Sequence, residues 1–60
     1  MRRYSIGQKV LMKKFVVQVP IEILTYVGTI VTIKGYKYNQ YIVETDNGYR
    51  FWVFQQEIST

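Results

Sequence analysis

Neither cysteine nor histidine occurs in the sixty residues of this chain, and that double absence constrains its fold more than any motif does. Domains below about 70–80 residues commonly lean on disulfides or a structural metal. Here the thiols for the first and the usual thiolate and imidazole ligands for the second are missing. A chain this short buries only about 60% of the surface its unfolded form exposes, so apolar packing must be efficient. The 48% hydrophobic and 17% aromatic content supplies the material. One domain over residues 1–60 is expected, with 1–5 and 59–60 frayed. A homodimer is a further way to bury surface.

Periodicity points to strands. No sustained i, i+3, i+4 pattern runs along the chain, whereas β-branched and aromatic residues recur in short runs broken by Gly, Pro and Asn. Residues 8–14 alternate so that Val10 and Met12 face a core while Lys9 and Lys13 stay in water. Residues 15–26 lose that alternation, and Pro20 interrupts them. They read as one long irregular loop with a helical turn or an edge segment after Pro20. Residues 27–33 are β-branched at neighbouring positions, as in a bent strand that serves both faces. Gly35 is read as its end, and Tyr36-Lys37-Tyr38-Asn39 as a connecting loop.

The clearest local signal is a hairpin. Residues 40–45 place Tyr41, Val43 and Thr45 on one face, with Ile42 and Glu44 on the other. Asp46-Asn47-Gly48 follows, and Asn47-Gly48 is expected to form the two central positions of a type I′ turn. Residues 49–54 then alternate Tyr49, Phe51 and Val53 with Arg50, Trp52 and Phe54. A short turn at residues 55–58 returns Ile58 to the interior.

Catalytic chemistry finds few groups to use. The acids are Glu22, Glu44, Asp46 and Glu57, without the paired environments that acid–base work needs, and Asp46 is explained by its turn. No nucleophile is placed with an activating base. The glycines are too dispersed for a phosphate loop, and no calcium or transition-metal set is clustered. The expectation is a non-enzyme with no catalytic, metal or cofactor residues and no cofactor. No apolar run reaches membrane-spanning length, and Ser5, Gly7, Gln8 and Lys9 stand where a signal-peptide core would lie. A cytoplasmic protein without membrane contact is expected.

Three segments could bind a partner. In residues 34–41, Lys34 and Lys37 interleave with Tyr36, Tyr38 and Tyr41, a pattern suited either to stacking on bases or to rings packed on the domain. In the last long strand, Trp52 and Phe54 beside Arg50 lie opposite in phase to Phe51 and Val53, and so either anchor a protein or fill a corner of the core. Third, the loop carries Val16, Val17, Val19, Ile21, Ile23 and Leu24, more apolar surface than a solvated loop needs. Closure of the core is the favoured use of those side chains, and a partner the other. The net charge of +4 lies within the range that solubility alone explains. The apolar excess therefore favours a protein partner over nucleic acid.

Ile6-Gly7-Gln8-Lys9-Val10, Gly28-Thr29-Ile30-Val31, Tyr41-Ile42-Val43 with Asp46-Asn47-Gly48, and Gln56-Glu57-Ile58 follow one another in an order that resembles the SH3-like barrel. The likeness spans residues 6–58 and is similar to that of small bacterial and prophage SH3-like proteins, the stromal photosystem I subunit and the variable chain of ferredoxin–thioredoxin reductase. It implies an all-β, SH3-like barrel of about five strands with one long irregular loop. These families share architecture more than activity; the surplus apolar and aromatic surface is what motivates the function expected here, a small non-enzymatic module that docks on or inhibits a larger protein assembly, including a phage-encoded protein acting on a host factor. Gly28-x-Ile30 also fits the KOW-type subset, which implies nucleic-acid binding, although Leu24-Thr25-Tyr26 stands where a glycine is common there. A self-associating structural protein is the third alternative.

Overall fold

Alternating burial sets the architecture. In the computed structural model, which describes residues 3–60, the strands are Lys9–Met12 (β1), Ile30–Lys37 (β2), Gln40–Glu44 (β3), Arg50–Val53 (β4) and Ile58–Ser59 (β5). A one-turn helix, Ile21–Leu24 (α1), interrupts the loop between β1 and β2, and a 3-10 turn, Gln55–Glu57, precedes β5. The five strands form one antiparallel sheet in the order β4-β3-β2-β1-β5. No strand pairing joins β4 to β5 among the described residues. The protein is thus a small all-β fold with a long, mostly irregular loop, and no helix among the described residues is long and apolar enough to cross a membrane.

Val10, Met12, Val31, Ile33, Tyr41, Val43, Phe51, Val53 and Ile58 line one face of the sheet and, with Tyr4, make the core. Period-2 alternation in β1, β3 and β4 produces this, because successive side chains in a strand point to opposite faces. β2 obeys the same rule: Val31 and Ile33 are buried and Ile30 is exposed, so this strand serves one face instead of the two expected.

Two turns differ from the reading of the sequence. Gly35 does not end β2; it sits inside it, where the register shifts between Ile33 and Gly35. A Cβ there would lie 3.3 Å from Ile42 Cδ1, so the glycine makes room for the residue across the ladder. Tyr36 and Lys37 therefore belong to the strand, and the connection shrinks to Tyr38 and Asn39, which take positive φ of 54° and 62°. This is the backbone of a type I′ turn, expected instead at Asn47-Gly48. At the β3–β4 connection only Gly48 has positive φ, at 87°. Its N–H donates to the Thr45 carbonyl at 3.0 Å, the pattern of a turn followed by a left-handed glycine. The Thr45 hydroxyl donates to Asn47 Oδ1 and accepts the Tyr49 N–H.

Within the segments expected to fray, Arg3, Tyr4 and Ser59 are engaged. Tyr4 is buried, and the Tyr41 hydroxyl accepts the N–H groups of Arg3 at 2.6 Å and Tyr4 at 3.1 Å. Ser59 pairs with Leu11. Met1 and Arg2 lie outside the described residues.

Candidate functional site

The outer face of the β-hairpin carries Ile42 and Glu44 on β3 opposite Trp52 and Arg50 on β4. Trp52 is 44% exposed, a large ring standing on the sheet beside Ile42. Next to it, Glu44 accepts a hydrogen bond from Arg50 Nε at 3.1 Å and lies 3.4 Å from Lys34 Nζ. The Arg50 hydrogen bond, aided by the positive charge of Arg50 and Lys34, holds the Glu44 carboxyl below its ordinary pKa. Lys34 and Arg50 thus share one carboxylate. They do not present the bare positive groove that a nucleic-acid backbone would need.

The tyrosines of residues 36–41 do not form a stacking platform together. Tyr41, named from the sequence as a partner-binding candidate, is wholly buried, 0% exposed. It points inward from β3 between Tyr4 at 5.5 Å and Tyr36 at 4.8 Å, both edge-on. The same alternation that buries Val43 buries Tyr41, so neither ring face can meet a ligand. Tyr36 is half-buried against the core. Tyr38 at the turn is 80% exposed, with Lys37 Nζ 5.1 Å from its ring centroid. Phe54 is half-buried at the entry to the 3-10 turn.

The loop divides its apolar side chains in two. Phe15, Ile23 and Tyr26 pack against the core and close it. Val16, Val17, Ile21, Leu24 and Val27 are exposed, Ile21 at 73% and Leu24 at 49%. The favoured reading, that these residues cap the core, holds for Ile23 and fails for Val16, Val17, Ile21 and Leu24. For Ile21 and Leu24 the cause lies in α1, too short to bury a face: no residue of Ile21–Leu24 is fully buried. Beside it, Pro20, Glu22, Tyr26 and Tyr49 line a shallow cleft. Tyr26 stacks on Tyr49 at 5.9 Å and on Phe51 at 5.8 Å.

The sequence reading passed over Tyr26 and Tyr49 as contributors to this surface, and Glu57 as the residue that shapes it. Glu57 is 1% exposed, with Oε1 accepting the Phe54 N–H at 2.6 Å and Oε2 the Val16 N–H at 2.8 Å. Its own carbonyl accepts the Lys13 N–H at 2.9 Å. The 3-10 turn thereby holds the start of the loop, and the exposed valines follow immediately. A polar residue three places after Phe54 in a tight turn was the available signal, since such side chains reach back to the preceding main-chain N–H.

No family model, curated protein or solved structure matches this chain. The surface itself is therefore what speaks for function: an apolar loop on one side and a tryptophan beside a shared-carboxylate ion cluster on the other.

Proposed function

We propose that this chain is a non-enzymatic protein-binding module of SH3-like type, docking on a larger assembly through the exposed apolar side chains of its β1–β2 loop. The observation that carries the reading is the exposure of Val16, Val17, Ile21, Leu24 and Val27 in one continuous segment. In a chain so short of core material, apolar side chains left outside the core are the departure from expectation. The SH3-like assignment is supported by the strand order β4-β3-β2-β1-β5, the long loop between β1 and β2, and the 3-10 turn before β5. The protein partner is preferred to nucleic acid because Glu44 neutralises one of the two charges on Lys34 and Arg50 and Tyr41 is unavailable for stacking.

The test is affinity capture with the wild-type chain and with Ile21→Ser/Leu24→Ser, both checked for the same circular dichroism. A stoichiometric protein retained by the wild type and lost by the variant supports the module. Absence of any retained protein, together with oligonucleotide binding by fluorescence anisotropy that weakens as salt rises, would transfer the function to nucleic acid.

A further inference from the structure

β4 forms one edge of the sheet, and half of its main-chain groups are used. The Thr45 N–H donates to the Tyr49 carbonyl at 2.8 Å, which sets the alternation along the hairpin. Thr45 with Tyr49, Val43 with Phe51 and Tyr41 with Val53 are the hydrogen-bonded pairs. Arg50 and Trp52 consequently turn their N–H and C=O groups away from β3. Among the described residues no main-chain or side-chain group meets them. Phe54, the next residue in phase, is already engaged: its N–H is on Glu57 Oε1 and its carbonyl accepts the Glu57 N–H at 2.9 Å.

Edge strands usually carry protection, as a lysine, a proline, a bulge or extreme shortness. β5 is protected by its two-residue length. β4 reads Arg50-Phe51-Trp52-Val53, with no proline, no bulge in its pairing with β3, and a single charge already beside Glu44.

We propose that β4 pairs antiparallel with β4 of a second copy about a twofold axis at Phe51, with Arg50 facing the partner subunit's Trp52. The free groups select this register. Arg50 and Trp52 are two residues apart, so the twofold at Phe51 sets each opposite the other in hydrogen-bonded pairs that exchange both N–H···O bonds. Every outward group of the strand interior is then satisfied. Centring on Trp52 instead would oppose Arg50 to the partner subunit's Phe54, whose main-chain groups are occupied. The side chains agree with the first register. Arg50 and Trp52 project to the outer face and are both exposed, so each guanidinium meets an indole across the junction, an attractive cation–π arrangement. Like charges are not placed opposite one another. The surface is distinct from the loop residues to which docking is assigned, so the two ideas stand or fall separately. An interface built on one short strand is weak, so the dimer belongs to high protein concentration.

The test combines sedimentation velocity with amide chemical shifts over a dilution series from millimolar to micromolar protein. A monomer–dimer equilibrium is expected, with the Arg50 and Trp52 amides moving most and those of Phe51 and Val53, bonded within the sheet, moving less. Trp52→Pro removes an N–H that the sheet does not use, which an edge strand tolerates, and also the indole. It should raise the dissociation constant at least about tenfold. A monomer at every concentration overturns the proposal, as does a dimer whose shifts map to residues 16–27. If the proline variant does not fold, the wild-type shifts alone decide.

Discussion

The Glu57 carboxylate sits between the Phe54 and Val16 N–H groups and joins the last turn to the loop. Glu57→Gln keeps the shape but sets an amide NH2 against one of those N–H donors. Because hydrogen bonds to charged groups are the stronger kind, a loss of about 1.5–3 kcal/mol is expected in urea unfolding. Tyr41→Phe removes the hydroxyl that accepts from Arg3 and Tyr4. It should cost about 0.5–1.5 kcal/mol and speed hydrogen exchange at the Tyr4 amide. Gly48→Ala forces a Cβ into positive φ and should lower stability by about 1–2 kcal/mol. At this scale the sequence was legible where chemistry is local. Gly48 was recognised as a turn residue from its neighbours, whereas Glu57 looked like any surface acid because its partners, Val16 above all, are distant in the chain.

At the scale of elements, β3 and β4 were readable because one face is buried and the other wet, which writes a period of two into the residues. The period alone left Trp52 open between the outer face and a corner of the core, and the structure places it on the outer face with Arg50. β2 was harder. Gly35 punctuates a sequence, and only the packing of Ile42 over it reveals a strand that continues. The tight Tyr38-Asn39 turn was hidden for a related reason, since nothing local marks a tyrosine for positive φ. The Lys34–Glu44–Arg50 cluster ties β2, β3 and β4 together and yields a pH prediction. The Glu44 pKa is lowered by folding. Its contribution is therefore present above the unfolded pKa and lost as pH falls through the folded one. The stability difference between wild type and Glu44→Gln should shrink on acidification through the carboxylate range. It should shrink likewise with added salt, because the pair is solvent-exposed. A difference that grows on acidification would contradict that role for Glu44.

For the whole molecule, the antiparallel meander with its returning β5 places the core on one face of a single sheet and spends nearly every strand side chain of the right phase on it. The loop is what remains. Its composition announced surplus apolar surface, but periodicity says nothing of whether a loop residue is covered, and coverage here is split between Ile23 inside and Ile21 and Leu24 outside. The proposed docking function rests on that split. Urea unfolding of Ile21→Ser/Leu24→Ser tests it directly: with Ile21 73% and Leu24 49% exposed, the double variant should lose no more than about 1–2 kcal/mol in all. A loss of about 2–5 kcal/mol per site, the cost of truncating buried aliphatic residues, would place both side chains in the core and remove the surface on which the proposed function depends.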